Sequence, residues 1–268
     1  MFPFVISAPS MVFGMDVVEN VEKLSSFVKN VEIVLFYTPE LDNIPTEKEI
    51  YFLKELKVEN DLTYTVHLPT SLEIAERNAE NQNSALRMAT GIIGKFHEID
   101  PQFYILHVPL AKPTLTFEPG FYFTKPNQHR FTDWKNRTRA GLQQLQRETG
   151  LNQRLLVENI NYSPAFMEQF WQEGLCALCL DIGHLLLGNE AVGETLERYL
   201  PVIREIHLHG VIGWEEHLSL NVMPAARVQS WFDLMRRGGF DGIVNLEVFS
   251  PGDLQTSLGV LEELKGNG

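Results

Sequence analysis

Acidic and histidine side chains stand where short apolar runs of this sequence end. The segment CLDIGH ends one such run with Asp181 and His184, and EIHLHG ends another with His207 and His209. Apolar runs of this length are typical of buried strands, where an unpaired ionisable group costs free energy. The pattern therefore indicates that these groups share a site in which something compensates their charge.

Further apolar runs end in His, Asp or Glu, and six of the eight histidines of the sequence stand at or just after the end of such a run. Two carboxylates about 4 Å apart repel by roughly 4 kcal/mol at an effective dielectric near 20, and few basic residues lie next to these acids in the sequence. Imidazole and carboxylate together are ligands of Zn, Mn and Fe. We therefore predict a centre of one to three divalent ions (Zn, Mn, Fe or Co). The candidate ligands are His67, His107, Glu158, Asp181, His184, His207, His217, Glu247 and one of Glu215 and Glu216.

The number of candidate ligands also indicates which type of reaction the site could catalyse. A single carboxylate-rich ion suits a sugar isomerase, in which Glu158 and Glu247 would be the acid–base pair. Two or three neighbouring ions suit in-line attack at phosphorus. The ligand count favours hydrolysis of a phosphate ester, with Glu158, Glu247 and His209 as catalytic candidates and His209 assisting the leaving group.

The elements that must position these residues alternate between strand and helix. Such alternation predicts parallel strands and favours an α/β fold of the (β/α)8, or TIM-barrel, type as one domain over residues 1–268. An open doubly wound sheet is the alternative, but no glycine-rich loop follows the first strand. Strand ends of a barrel meet at its C-terminal rim, where active sites lie. The predicted strands are 2–8, 31–37, 63–69, 103–109, 154–160, 176–182, 204–210 and 242–249, and the predicted helices are about 17–29, 46–60, 78–98, 132–149, 164–174, 190–199, 224–238 and 253–265.

The segment 109–131 is too long for an ordinary connection and is rich in aromatic residues. We interpret it as a lid or substrate loop, with Phe121 and Tyr122 as candidate substrate contacts, although apolar packing over the barrel mouth explains it equally well. Tyr37, Asn159 and Trp214 are further candidates at the rim, each with a structural role as the alternative.

The net charge of −13 disfavours a nucleic acid as the partner. No apolar run is long enough for a membrane span, and the start lacks the basic region of a signal peptide. Cys176 and Cys179 fall within one predicted strand, on opposite faces, and are expected to be inert buried thiols. A cytoplasmic protein fits these features.

The motifs YTVHLP, ILHVP, VENI, CLDIGH, IHLHG, EEHLSL and NLEVF resemble the xylose-isomerase-like barrel superfamily, which includes endonuclease IV. Endonuclease IV binds three zinc ions through nine His, Asp and Glu residues, and here Glu215 stands where its pattern has aspartate. The positions that match its ligands are His67, His107, Glu158, Asp181, His184, His207, Glu215, His217 and Glu247.

Over nearly its full length the sequence is more similar to the cobamide-remodelling phosphodiesterase family, through VEIVLFY, DLTYTVHLP, CLDIGHLLLG, EIHLHGV, HLSL and LEVFS. That family reads Asp-His before Leu-Ser-Leu, which makes Glu216, beside His217, the acidic ligand implied here. The resemblance implies a corrinoid as the small-molecule partner. Its nucleotide-loop phosphodiester would be cut to a cobinamide phosphate and a lower-ligand riboside. A sugar isomerase or epimerase, a repair endonuclease and a non-catalytic corrinoid-binding or metal-binding protein are the alternatives.

Overall fold

The computed structural model describes residues 2–110, 128–151, 153–160 and 162–266. Within these ranges, eight parallel strands close into a barrel in the order β1-β10-β7-β6-β5-β4-β3-β2. Closure is completed by β1, which pairs with both β2 and β10. The prediction of a (β/α)8 barrel is therefore confirmed, and the open sheet is excluded. The strands are β1 (Val5–Pro9), β2 (Asn30–Val34), β3 (Thr63–His67), β4 (Phe103–Leu106), β5 (Leu155–Glu158), β6 (Ala177–Asp181), β7 (Ile203–Leu208), β8 (Gly210–Ile212), β9 (Glu215–Leu218) and β10 (Ile243–Leu246).

Helices follow the barrel strands and cover the outside of the sheet. A capping box starts the helix that begins at Glu47, because the Thr46 side chain accepts from the Glu49 amide and the Glu49 carboxylate accepts from the Thr46 amide. No helix in the described ranges is long and apolar enough to span a membrane. The helices are α1 (Val17–Leu24), α2 (Glu47–Glu59), α3 (Ala79–Phe96), α4 (Gln128–Thr149), α5 (Glu168–Gln172), α6 (Ile182–Leu187), α7 (Val192–Tyr199), α8 (Ala225–Arg237) and α9 (Pro251–Gly266).

Two elements near the rim differ from the sequence-based expectation. The short helix α6 starts directly after β6 because the Asp181 carboxylate accepts from the His184 amide at 2.6 Å and so caps it. The hairpin of β8 and β9 follows β7, where the sequence predicts only a loop. Strands of three and four residues are too short to show a clear alternation of apolar and polar residues.

The barrel interior has an apolar side and a polar side. On the apolar side, which we call the inner apolar cluster, Ile105, Leu156, Ala177 and Cys179 from β4, β5 and β6 pack together. Cys176, by contrast, belongs to the core between strands and helices, as strand alternation predicted, and both thiols are free and buried. On the polar side lie six buried residues, the inner polar cluster: Ser7, Asn30, Glu32, Thr65, Glu205 and Asn245.

Hydrogen bonds cross the inner polar cluster. The Ser7 hydroxyl donates to Asn30 Oδ1 at 2.7 Å. The Thr65 hydroxyl lies 3.3 Å from Glu205 Oε1, which joins β3 to β7 across the barrel. This side of the barrel lies below the rim positions of His67 and His207, which are two residues further along β3 and β7.

Candidate metal centre

The structure brings the nine candidate ligands to the C-terminal rim, where each lies within 3.9 Å of another member. Strand ends supply most of them, because parallel strands present their last inward residues at the same end of the barrel. α6 supplies His184, and the β8–β9 hairpin supplies Glu216 and His217. The contacts divide the set into three groups, which we call the first, central and outer groups.

The first group consists of His67, His107 and Glu158. Glu158 Oε2 lies 3.1 Å from Nε2 of His67 and 3.1 Å from Nε2 of His107. Nδ1 of His67 donates to the Leu68 carbonyl at 2.9 Å, which leaves Nε2 free to face the carboxylate. The three ligand atoms lie within 4.8 Å of one another, a spacing that suits a single ion.

The central group consists of Glu158, Asp181, His207 and Glu247. His207 Nδ1 lies 3.6 Å from Glu158 Oε2, 3.9 Å from Asp181 Oδ2 and 3.4 Å from Glu247 Oε2. His207 Nδ1, Asp181 Oδ2 and Glu247 Oε2 are buried and have no hydrogen-bond partner among the described residues. Unpaired buried polar atoms cost about 1–3 kcal/mol each, so three that converge on one point fit a cation.

The outer group consists of His184, Glu216 and His217. Glu216 Oε2 lies 3.9 Å from His184 Nε2, and Glu216 Oε1 lies 3.9 Å from His217 Nε2. Glu215 is exposed and makes no such contact with the described residues, so the structure brings Glu216 to the site. The Nδ1 atoms of both histidines face backbone carbonyls, that of Asn159 at 2.8 Å and that of Glu247 at 3.1 Å.

His217 adopts a left-handed backbone conformation, with φ of 58°. A residue other than glycine is strained in this region, and such strain persists only where the surrounding structure imposes it. This conformation occurs within β9, where the imidazole of His217 faces the carboxylate of Glu216. The strain is therefore consistent with a functional position.

His209 belongs to the same rim but is placed to orient ligands. Its Nδ1 accepts from the His217 amide at 2.9 Å. The Gly210 carbonyl also lies 3.3 Å from Nδ1, but an amide can only donate, so Nδ1 is the acceptor and Nε2 carries the proton. Nε2 faces Asp181 Oδ2 at 3.5 Å and Glu247 Oε2 at 3.9 Å. Assistance to a leaving group by His209 stays a prediction.

Gly183 explains the glycine of CLDIGH. A Cβ atom at this position would lie 2.0 Å from Cε1 of the fully buried His209 ring. Any larger residue would push the imidazole away from the central carboxylates. The glycine thus permits the contact between α6 and the end of β7.

Neighbouring charges control ionisation in the centre. Burial alone would raise the pKa of Glu158, but His107 and His207 outweigh it and hold the pKa well below its usual range. Burial would lower the pKa of His207, but the charges of Glu32 and Glu247 raise it well above its usual value. Without a metal ion, these carboxylates therefore favour the protonated form of His207.

Two buried acids below the rim, Glu32 and Glu205, are absent from the residues that the sequence predicts for the site. Glu32 Oε2 lies 2.9 Å from His207 Nε2. Burial and the charge of Glu32 raise the pKa of Glu205 well above its usual range. A signal was available, because each acid interrupts an apolar strand-forming run, in VEIVLFY and in REIHLHG.

The predicted substrate contacts differ in their exposure to solvent. Tyr37 and Trp214 are 42% and 47% exposed, after β2 and at the tip of the β8–β9 hairpin. Asn159 is buried, and its amide donates to the Asp181 carbonyl and accepts from the Asp181 amide, so it joins β5 to β6. Phe121, Tyr122 and most of segment 109–131 lie outside the described residues. All of these contacts with substrate stay predictions.

Phe249, which was not predicted, packs against the His217 ring and remains 38% exposed.

No protein-family model matches the chain, and no curated protein matches it in sequence. Solved structures match its fold over 98% of the chain. A D-tagatose 3-epimerase-like protein has 17% identity and a TM-score of 0.76 over 98% of its own length. The 3-keto-D-glucoside 4-epimerase YcjR from E. coli has 14% identity and a TM-score of 0.72 over 99% of its length. Endonuclease IV from Thermus thermophilus has 14% identity and a TM-score of 0.69 over 100% of its length. The chain therefore shares its barrel fold with these three proteins.

Proposed function

We propose that this protein is a metal-dependent phosphodiesterase that hydrolyses the nucleotide-loop phosphodiester of cobamides. The products would be a cobinamide phosphate and a lower-ligand riboside, as corrinoid salvage and remodelling require. One observation carries the proposal: the contacts at the rim form three groups of candidate ligands, joined through shared or adjacent carboxylates, where a one-ion enzyme needs one group.

The excess of ligands argues for several ions. Glu158 Oε2 faces Nε2 of His67 and of His107 at 3.1 Å, and it also lies 3.6 Å from Nδ1 of His207, so one carboxylate is shared between the first and central groups. Divalent ions bound in this way would activate water and neutralise the charge of a phosphate. The residues of the chain would hold these ions, and Nε2 of His209 lies beside Asp181 Oδ2 and Glu247 Oε2, at 3.5 and 3.9 Å.

Substrate identity is proposed from the resemblance of the sequence, with two supporting features. The net charge of −13 suits a bulky, amide-rich corrinoid better than a polyanionic nucleic acid. The exposed rings of Tyr37, Trp214 and Phe249 lie on the segments that follow β2, β8 and β10, where they could contact a flat ring or a base.

Cobalamin cleavage tests this proposal. Purified protein is incubated with cobalamin in excess Mn, Zn, Fe or Co, and the products are identified by mass spectrometry. We expect a cobinamide phosphate that gains one oxygen from 18O-labelled water, together with free riboside. Intact cobalamin under every metal, with bound ions verified by elemental analysis, would overturn the proposal.

A sugar isomerase or epimerase is the second candidate, favoured by the central group alone. Glu158 and Glu247 both lie within 3.6 Å of His207 Nδ1, so they flank a single ion position as an acid–base pair would. Incorporation of solvent deuterium into a ketose would support it. His107→Ala separates the two functions, because it removes a ligand of the first group only and should spare a one-ion epimerase while it impairs a phosphodiesterase.

A further inference from the structure

A buried carboxylate below the rim contacts one ligand of the central group. Glu32 lies on β2, a strand that supplies none of the nine candidate ligands, and it is fully buried. Its Oε2 lies 2.9 Å from His207 Nε2, across the barrel and 175 positions away in sequence. This contact is a hydrogen bond by its length.

The histidines of the rim are oriented in two ways. Nδ1 of His67, His184 and His217 faces a backbone carbonyl, so these rings present Nε2 to the ligand groups. His207 is reversed, because Nε2 faces Glu32 and Nδ1 faces the central carboxylates. A carbonyl or an ionised carboxylate can only accept, so the ring nitrogen that faces it must carry the proton.

We propose that Glu32 is a positioning residue of the metal centre. It holds the proton of His207 on Nε2 and fixes the ring, so that the lone pair of Nδ1 points at the central group. The buried, unpartnered state of Nδ1 agrees with this assignment, since no described residue satisfies it. A hydrogen bond from a carboxylate also makes the imidazole a stronger metal ligand.

Glu205 provides a matched comparison. It is a second fully buried glutamate of the inner polar cluster. One carboxylate oxygen of Glu205 lies within 4.8 Å of a carboxylate oxygen of Glu32 and of a ring nitrogen of His207. Its Oε1, however, accepts from the Thr65 hydroxyl at 3.3 Å, whereas the Nε2 proton of His207 goes to Glu32. A change at Glu205 therefore perturbs the same interior without removing the partner of His207 Nε2.

The experiment compares Glu32→Gln with Glu205→Gln, two substitutions that keep side-chain size. Each apoprotein is titrated with Co2+, and its visible absorption and bound ions per chain are followed. An amide at position 32 can donate to Nε2 and move the proton to Nδ1. We expect Glu32→Gln to weaken the binding of one Co2+ ion by about 10–100-fold, while the affinity for the other ions stays the same. Glu205→Gln should titrate like the unsubstituted protein.

Three results would overturn the inference. Unchanged Co2+ binding by Glu32→Gln would show that the contact has no effect. Equal weakening of every ion, or the same loss in Glu205→Gln, would show a general effect on the barrel interior.

A measurement on the unsubstituted apoprotein covers the case in which Glu32→Gln does not fold. At a pH above the raised pKa of His207, where the ring is neutral, 15N NMR of histidine-labelled protein reports which ring nitrogen carries the proton, and the His207 signal is assigned by its loss in His207→Gln. A proton on Nε2 is expected, and a neutral ring protonated on Nδ1 contradicts the assignment. The inference rests on the metal centre of the proposed function and not on its substrate. An intact corrinoid with these metal and NMR results would therefore refute only the proposed reaction.

Discussion

The two sides of the barrel interior differ in what they contribute to the rim above them. The inner apolar cluster fills β4, β5 and β6 with aliphatic and thiol side chains, as barrel interiors usually are. The inner polar cluster, on β1, β2, β3, β7 and β10, buries two glutamates and two asparagines. Buried polar groups cost free energy unless they are paired. Strands of both sides supply candidate ligands, but we infer that only the polar side adds a second layer of contacts beneath them, whereas the apolar side contributes to the stability of the barrel.

The largest expected effect comes from Glu158, which stands above the apolar side. Its side chain is only 2% exposed, and its two oxygens face histidines of different groups. Glu158→Gln removes the shared charge, and we expect activity on cobalamin to fall by about 100–1,000-fold, the scale for loss of one preorganised polar group in a site. Elemental analysis should show fewer bound ions, with circular dichroism unchanged. Full metal content and activity in this variant would mean that Glu158 is not a ligand.

The apolar side should respond through stability. Leu156 is fully buried in the inner apolar cluster, two residues before Glu158. Leu156→Ala leaves a cavity, and we expect it to lower the free energy of unfolding by about 2–5 kcal/mol. Denaturant unfolding measures this loss, and the number of Co2+ ions bound by the folded variant should stay the same. If Leu156→Ala bound one Co2+ ion fewer and its free energy of unfolding did not change, the apolar side would not differ from the polar side in its role.

Gly183→Ala tests how closely α6 must approach the rim. The added Cβ would overlap the His209 ring, and overpacking of this kind costs about 1–3 kcal/mol. We expect lower stability and weaker binding of metal by the central group, because His209 would be displaced from Asp181 and Glu247. Gly91→Ala is the control, since nothing lies within 4 Å of a Cβ in that helix. It should be neutral or stabilising by up to about 1 kcal/mol.

The smallest effect concerns pH. Burial would lower the pKa values of His67, His184 and His207, but neighbouring carboxylates raise them above their usual value. Below these raised values the imidazoles are protonated, so an ion must displace protons to bind. Metal affinity should therefore rise with pH, by about tenfold per unit for each proton displaced. Calorimetry of Zn2+ binding in two buffers of different ionisation enthalpy measures the protons released. Affinity that is independent of pH would exclude the protonated state.

Sequence patterns were sufficient to place the rim residues on strand ends. His67, Glu158 and Asp181 end apolar runs, and in the structure each is the last residue of its strand. Bounds of other elements were less accurate, because short segments such as α6 and the β8–β9 hairpin carry too few residues for a period to show. The choice of Glu216 over Glu215 followed from the resemblance, and the geometry of the hairpin agrees with it.

The sequence by itself determined the barrel and the collection of acids and imidazoles at one rim. Alternation of strand and helix makes the strands parallel, and parallel strands bring their last residues to one end. Only the tertiary structure decided which nitrogen each histidine presents, and that Glu32 is the partner of His207. These contacts join residues that are distant in sequence, and they exist because the sheet closes and brings opposite strands within hydrogen-bond distance.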